Sequence, residues 1–147
     1  MKIRAARPED LDAIIVLLTE NALPASDISH ELLCDFAVAE GDGGFVVGSV
    51  GVERYDSNAL LRSLAVAQTA RNAALGSLLL AHAEGLALDR AISELWLLTT
   101  TTSDFFRRKD YLDVARSTAP ANLQATTQFT QLCPASAVCM RKIIRPR

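Results

Sequence analysis

The chain has 147 residues, of which 50% are hydrophobic and 22% are charged. That composition supplies the core of one ordinary globular domain and excludes a disordered segment. The formal charge of -2 leaves no broad basic surface, so a nucleic-acid partner is not expected. The longest apolar stretches, 13–18 and 75–81, are too short to cross a membrane, and the first residues lack the apolar region of a signal peptide. We therefore expect a single domain, residues 1–147, in the cytoplasm.

Three cysteines are the residues best suited to a disulfide or a metal site. The number of cysteines is odd, and no Cys-x-x-Cys pair occurs among Cys34, Cys133 and Cys139. Neither a disulfide framework nor a structural zinc site is therefore expected. Free cysteines are most often small buried hydrophobic residues, and we predict that role for all three. The alternative is a soft thiophilic ligand held by Cys133 and Cys139.

The first half of the chain predicts a strand, two helices and a hairpin. A short strand at 3–5 precedes a helix that begins at Pro8, and a second short helix after Pro24 carries Ile28, Leu32 and Leu33. The first helix has one apolar face, formed by Leu11, Ile14, Ile15 and Leu18. A glycine-rich turn at 41–44 joins strands at 36–40 and 45–55, and a third strand follows at 59–66.

The second half alternates helices and strands. The predicted elements are a helix at 74–88, a strand at 94–100, a helix at 104–109, a strand at 111–116, a helix at 120–132 and a strand at 137–144. The apolar stripe of the 74–88 helix contains Leu75, Leu79, His82 and Leu86. That position predicts a packed histidine for His82, with catalysis as the alternative. The whole order of elements predicts an α+β or α/β fold around a mixed sheet.

The segment from Leu60 to Gly76 is the most informative part of the sequence. It is a predicted strand, a turn of small residues and the start of a helix. Free amides and the helix dipole attract an anion at such a start, and Arg71 adds a positive charge. The pattern is neither a P-loop nor a Rossmann fingerprint. A phosphate-binding loop and an ordinary strand-to-helix connection both remain open from composition.

Leu64-Ala65-Val66 followed by Arg71-Asn72-Ala73-Ala74-Leu75-Gly76 resembles the acetyl-CoA motif of the GCN5-related N-acetyltransferase (GNAT) family. That motif is Arg or Gln, two residues, Gly, one residue, then Gly or Ala. Thr99-Thr100-Thr101, Phe105-Phe106 and Asp110-Tyr111 resemble the family's strand–helix–strand that ends in Gly-Phe. The resemblance implies an α+β fold, an α/β/α sandwich whose mixed, mostly antiparallel sheet has helices on both faces. It also implies acetyl-CoA as the acetyl donor.

A narrower resemblance concerns the acceptor. The segments 61–66, 98–101 with Phe105-Phe106, and 132–140 resemble small acetyltransferases associated with arsenic resistance, and the Thr-Thr…Phe pattern resembles amino-acid N-acetyltransferases. The resemblance implies transfer to the amine of a small, amino-acid-like molecule, with an arsenical or related toxin as the narrower implication. It also implies a homodimer, for which the edge of the closing strand is available.

The resemblance assigns cofactor binding to the strand end, the loop and the segment after the later strand. The residues are Leu64, Ala65, Val66, Arg71, Asn72, Ala73, Ala74, Leu75, Gly76, Ser77, Thr100, Thr101 and Phe106. Backbone amides near Leu64 and Val66 are implied to hold the thioester carbonyl after a bulge. Thr100 and Thr101 are equally well explained as a β-branched strand end.

Three positions depart from the family pattern. Ala74 and Asp110 stand where glycine is expected, and Phe106 stands where the family often has a tyrosine that protonates the leaving thiolate. A methyl at position 74 is expected to crowd the pyrophosphate or to resist a positive φ. These departures make a non-catalytic acyl-CoA-binding or regulatory domain the alternative function.

Glu53 is the candidate base that deprotonates the acceptor ammonium, directly or through water, before the amine attacks the thioester. The alternative is a surface carboxylate paired with Arg54 or another base. Arg62 shares a strand face with Leu64, so its guanidinium needs either a substrate carboxylate or an internal acid such as Glu53. Tyr55 is a further candidate for substrate contact.

Overall fold

The computed structural model describes residues 1–145, without the side chains of Asn72 and Ala73. Its strands are β1 (Lys2–Ala5), β2 (Phe36–Glu40), β3 (Val46–Tyr55), β4 (Asn58–Val66), β5 (Glu94–Thr99), β6 (Leu112–Asp113) and β7 (Val138–Ile143). Its α-helices are α1 (Leu11–Glu20), α2 (Leu75–Asp89), α3 (Ser103–Arg107) and α4 (Ala121–Gln124). The chain forms two compact units, one made of residues 1–53 with 61–86, the other of 54–60 and the chain from 87 onward.

The strand order in the sheet is β1-β2-β3-β4-β5-β7-β6. The pairs β1–β2, β2–β3, β5–β7 and β6–β7 are antiparallel, whereas β4 and β5 are parallel over the three pairs from Asn58↔Glu94 to Leu60↔Trp96. The predicted mixed, mostly antiparallel sheet is therefore confirmed.

In the first unit, helices α1 and α2 lie on opposite faces of strand β2. Apolar side chains of α1 share a buried cluster with Phe36 and Val38. The next side chain along the strand, Ala39, points to the other face, where Gly48 pairs with it. A methyl group on Gly48 would come within 2.8 Å of Leu79 on α2, so glycine there lets the helix lie close to the sheet.

In the second unit, a separate core covers one face of β4 and β5. Leu60 and Trp96 pack with side chains from the segment that follows β6, namely Ala119, Leu123, Phe129 and Cys139 of β7. Arg116 fixes that segment, since its guanidinium donates hydrogen bonds to the carbonyls of Pro134 and Cys133 at 2.8 and 3.2 Å. It also lies over the Phe129 ring, 5.4 Å from the centroid.

Several predicted elements are shorter than expected. The prediction of a helix that carries Ile28 is wrong. The segment forms a turn and then a single 3-10 turn at Leu32–Asp35. So short a segment forms too few hydrogen bonds to offset the free-energy cost of helix nucleation. The strand expected at 111–116 ends at Asp113. The helix expected at 120–132 is split into α4 and a π-helical turn at Gln128–Leu132. Between them the Thr126 hydroxyl donates to the Leu123 carbonyl at 2.7 Å, a local bond that competes with the helix.

The prediction of a packed His82 is wrong, because this side chain is exposed. The buried stripe of α2 is formed instead by Leu75, Leu79, Ala83 and Ala87, which repeats every four residues. The prediction that all three cysteines are buried is also wrong, since Cys34 is exposed, Cys133 is half-buried and only Cys139 is buried. Among residues 1–145, no group of three metal-binding side chains and no helix able to cross a membrane is found.

Candidate active site

A left-handed residue within β4 is held by a buried hydroxyl. Ser63 has a φ of 59°, a left-handed conformation in the middle of a strand. Ser49 of β3 is fully buried, and its Oγ donates a hydrogen bond to the Ser63 carbonyl at 2.7 Å. The amide of Leu64, expected to hold a thioester carbonyl after a bulge, follows this left-handed residue directly. The bulge itself stays a prediction. Sequence reasoning missed Ser49, whose one signal was a polar residue between Gly48 and Val50.

Arg62, the residue before Ser63, is the centre of an ion-pair cluster. Its Nη1 and Nη2 donate to the two carboxylate oxygens of Asp27, both at 2.6 Å. Nη1 also donates to Oε1 of Glu53 at 2.9 Å, and Nε donates to the Ser63 hydroxyl at 3.3 Å. The Arg62 side chain is 1% exposed, whereas those of Asp27 and Glu53 are 19% and 17% exposed. The structure thus gives the buried guanidinium internal acids as partners.

The electrostatics of the cluster keep Arg62 charged. Burial by itself lowers the pKa of Arg62, but the hydrogen bonds and charge of Asp27, followed by those of Glu53, raise it above its ordinary value. Sequence reasoning named Glu53 as a partner and missed Asp27. The separation of 35 positions between Asp27 and Arg62 leaves no spacing signal, because only the folded loop after α1 brings them together.

The loop before α2 enters the helix through a left-handed residue. Ala74 has a φ of 54° and a ψ of 26°, so alanine adopts here the conformation that glycine tolerates best. The expectation that a methyl group would deny the loop a positive φ is therefore wrong. In the first turn of α2, the Leu78 amide donates a hydrogen bond to the Ala74 carbonyl at 3.3 Å. The amides of Leu75, Gly76 and Ser77 come before it. Helix geometry gives these first amides no acceptor within the helix, so they are available to an anion.

Arg71 lies exposed in the 3-10 turn Gln68–Ala73 that precedes Ala74. Its Nη2 donates to the side-chain oxygen of Asn21 at 2.7 Å, and Asn21 is held in turn by the Leu17 carbonyl at the end of α1. The guanidinium is thus fixed beside the loop but remains open to solvent. The side chains of Asn72 and Ala73, also expected to bind cofactor, lie outside the described part of the chain.

These features fit a diphosphate group. Three backbone amides at the start of a 15-residue helix and an exposed guanidinium provide donors and positive potential, and no acidic side chain lies between Gln68 and Ser77. Two of the expected cofactor-binding alanines differ in burial: the side chain of Ala74 is exposed, whereas that of Ala65 is buried in the core with α1. The Leu75 side chain is also buried, so its amide is the part available to a ligand.

In the second unit, the expected cofactor residues follow β5. Thr100 and Thr101 are exposed in the bend that leads to α3, and the bend is closed by a 2.7 Å contact between the hydroxyls of Thr99 and Thr102. Phe106 is 6% exposed, and its ring packs edge-on against Tyr111 with centroids 5.4 Å apart. The role of these residues in cofactor binding stays a prediction.

Asp110 and Tyr55 complete the expected positions of the second unit. Asp110 has a φ of 73°, a left-handed conformation that glycine adopts most easily. Tyr55 is half-buried and packs against the cluster around Leu60 and Trp96. Its contact with substrate stays a prediction.

The two later cysteines differ in their surroundings. The Cys133 thiol donates a hydrogen bond to the side-chain oxygen of Gln128 at 3.4 Å. Cys139 is 3% exposed in the core of the second unit, and burial raises the pKa of its thiol. A protonated, buried thiol is a poor ligand for a thiophilic group, which weakens that alternative.

Comparison with known proteins gives matches along most of the chain. A family model described as "Acetyltransferase (GNAT) domain" matches residues 33–111, which run from the 3-10 turn before β2 to Tyr111. The uncharacterized N-acetyltransferase CT2212 of Chlorobaculum tepidum is 32% identical over 110 residues, which cover 74% of this chain and 68% of that protein.

Solved structures share the fold at lower identity. Rv2747 from Mycobacterium tuberculosis, solved in complex with CoA, aligns with a TM-score of 0.81 and 20% identity over 97% of this chain and 99% of its own. N-acetylglutamate synthase from Neisseria gonorrhoeae, complexed with coenzyme A and N-acetylglutamate, aligns with a TM-score of 0.83 and 21% identity. That alignment covers 99% of this chain but 35% of the synthase, so the chain spans about a third of that protein.

Proposed function

Since the chain belongs to the GNAT acetyltransferase family and is an N-acetyltransferase that uses acetyl-CoA, we propose that it acetylates the amine of a small, amino-acid-like molecule by direct attack. The observation that supports this proposal best is the course of the chain from the left-handed residue Ser63 to the start of α2. It presents, within 15 residues, a backbone amide for a carbonyl oxygen and a helix start for a diphosphate.

Glu53 is the proposed base. The acceptor arrives as an ammonium group, and one proton must leave its nitrogen before the lone pair attacks the thioester carbon. In this proposal Glu53 takes that proton, directly or through one water. The hydrogen bond from Arg62 to Oε1 at 2.9 Å fixes the carboxylate in one orientation. A fixed base loses less entropy in the transition state than a mobile one.

The leaving thiolate has no tyrosine at the family position. Phe106 carries no proton to donate and is buried among aromatic rings. A thiol has a pKa of roughly 8.5, so a thiolate is a tolerable leaving group near neutral pH. The proposed reaction therefore does not depend on a general acid at this position.

The amino-acid-like acceptor is supported by the likeness to the synthase that binds N-acetylglutamate, and the arsenical acceptor by the resemblance of residues 132–140. Arg62 does not support an amino-acid-like acceptor, because both terminal nitrogens of its guanidinium donate hydrogen bonds to Asp27. The expectation that the closing strand offers an edge is wrong, because β7 pairs with β5 on one side and with β6 on the other. The proposed homodimer is supported instead by the short edge strand β6, where Leu112 is 63% exposed. Sedimentation analysis tests the dimer.

A non-catalytic acyl-CoA-binding domain is the second candidate, favoured by Ala74, Phe106 and Asp110. Two of these three positions, Ala74 and Asp110, adopt a left-handed backbone that favours glycine, with φ values of 54° and 73°. The replacements therefore do not prevent the conformation that glycine would allow there, which favours the catalytic proposal.

The test is a panel of amines incubated with acetyl-CoA and the purified chain, with released thiol measured against an enzyme-free control. Acetylated product confirmed by mass for at least one small amine supports the proposal. Saturable acetyl-CoA binding without thiol release above the control, across amines, amino acids and arsenicals, would favour the non-catalytic candidate.

A further inference from the structure

Ser63 is held in a strained backbone conformation inside a strand. Its φ of 59° lies in the left-handed region, which a residue with a Cβ adopts only at a cost. The other non-glycine residues with positive φ in the described part of the chain lie in turns or in a loop, whereas Ser63 lies within β4. Strain of this kind persists only where the surroundings impose it, and it is concentrated at functional sites.

Two buried polar groups impose the conformation of Ser63. The Ser49 hydroxyl donates to the Ser63 carbonyl at 2.7 Å, and Nε of Arg62 donates to the Ser63 hydroxyl at 3.3 Å. Both donors come from buried residues. Ser49 is also paired with Val38, which belongs to the apolar cluster with α1. A hydroxyl in such surroundings is costly to bury unless it is hydrogen-bonded, and the bond to Ser63 meets that need.

The carbonyl that Ser49 binds and the amide of Leu64 belong to the same peptide unit. Because this unit is planar and trans, its C=O and N–H point in opposite directions. The carbonyl is directed to the Ser49 hydroxyl, so the Leu64 N–H is directed away from it. The hydrogen bond also polarises the peptide unit, which makes its N–H a stronger donor. The Ser49 hydroxyl therefore sets both the direction and the strength of the Leu64 amide.

We propose that Ser49 is a positioning residue for acetyl transfer and acts through the Ser63–Leu64 peptide. The inference rests on the proposed function, which places the thioester carbonyl at the Leu64 amide. When the acceptor amine attacks, a C–N bond forms and the carbonyl π electrons move to oxygen. They return as the C–S bond breaks and the thiolate leaves. The Leu64 amide stabilises the oxygen while it carries this charge, and Ser49 keeps that donor from having to reorient during the reaction.

The chain offers a matched control for removing the Ser49 hydroxyl. Thr126 in the second unit is also buried, and its hydroxyl also donates to a backbone carbonyl, that of Leu123, at 2.7 Å. Thr126→Val and Ser49→Ala each remove one such bond, but only the second lies beside the Leu64 amide. Ser49→Thr keeps the hydroxyl and serves as the conservative variant. If Ser49→Ala does not fold, Ser49→Cys replaces it, since a thiol is a weak donor.

The experiment records the infrared band of the thioester carbonyl in acetyl-CoA labelled there with carbon-13 and bound to each variant. A hydrogen bond to the carbonyl oxygen weakens the C=O bond and lowers its stretching frequency. We expect a lower frequency in the wild type than in free acetyl-CoA, and a shift back toward the free value in Ser49→Ala. Ser49→Thr and Thr126→Val should keep the wild-type band. The inference is overturned by the same band in the wild type and Ser49→Ala, by an equal shift in Thr126→Val, or by no binding of acetyl-CoA.

Turnover gives a second readout and separates this inference from the proposed function. With the amine that yields most product in the panel, Ser49→Ala should lower kcat by roughly tenfold to a hundredfold and keep KM for acetyl-CoA within about threefold, because the bond matters most in the transition state. A shifted band without product from any amine supports the inference while the proposed reaction fails. Product with an unshifted band, or a rise in KM that accounts for the whole loss, overturns the inference and keeps the proposed function.

Discussion

Ala74 and Ala91 flank helix α2, and both adopt a left-handed backbone, with φ values of 54° and 62°. Ala91 ends the helix in a Schellman motif, in which the Ile92 amide bonds to the Ala87 carbonyl at 3.0 Å. Ala74 precedes the helix, in the loop expected to hold the pyrophosphate. The same strain thus occurs once beside the proposed ligand and once away from it.

Replacement of these alanines by glycine separates strain from binding. Each change should stabilise the fold by about 0.5–1 kcal/mol, because glycine adopts a left-handed conformation without a Cβ penalty. Ala74→Gly should also tighten acetyl-CoA binding, whereas Ala91→Gly should not. Calorimetric titration of both variants checks this, and an affinity that stays the same or falls in Ala74→Gly contradicts it.

Glu53→Gln should lower kcat by roughly a hundredfold or more, since a positioned base contributes that much to proton transfer. The remaining rate should rise with pH as the acceptor amine loses its proton in solution, which shifts the profile to higher pH. Glu40→Gln, which removes a carboxylate bound to Arg4, is the matched control. Identical pH–rate profiles for the wild type and Glu53→Gln would exclude Glu53 as the base.

Arg62→Ala should destabilise the protein by about 3–5 kcal/mol, because it removes the buried cation that holds the shielded carboxylates of Asp27 and Glu53. Adding Asp27→Asn to Arg62→Ala should recover part of that loss, since the negative charge of Asp27 is removed as well. Urea unfolding of the single and double variants measures both effects. A selective rise in KM for a carboxylate-bearing acceptor, with stability intact, would instead make Arg62 a substrate ligand.

Asp10 gives the first unit a stability that depends on pH. The hydrogen bond from Arg4 lowers the pKa of the Asp10 carboxyl below its ordinary value, against the opposing effect of burial. A lowered pKa in the folded state contributes stability above the ordinary pKa of about 3.9, and this is lost as the pH falls through the folded value. Asp10→Asn should cost about 2–4 kcal/mol at pH 7 and progressively less in acid. A cost that does not change between pH 7 and pH 3 would contradict this origin.

The sequence predicted those parts of the fold and site that depend on local pattern. The strands around the Gly41–Gly44 turn follow from residue type and glycine placement, and the structure has positive φ at Gly43 and Gly44. The loop before α2 was identified from its motif, and its left-handed residue is the one that replaces the motif glycine.

Long-range contacts account for what the sequence did not predict. Asp27 lies in a loop, and only the folded chain brings it to Arg62. Nothing in the spacing of the two residues indicates that they pair. His82 lies at helical spacing from Leu75 and Leu79, yet the four-residue repeat turns the buried face toward Ala83 and Ala87. The helix expected at 120–132 was interrupted because the Thr126 hydroxyl binds backbone groups within its own turn.

The most direct test of the account is calorimetric titration of the purified protein with acetyl-CoA, with a thermal-shift comparison against dephospho-CoA. We predict saturable binding in the micromolar range, because the proposed diphosphate site combines the helix start, Arg71 and the left-handed residue before α2. Absence of binding at millimolar acetyl-CoA would contradict that claim and remove the basis for a reaction at Glu53.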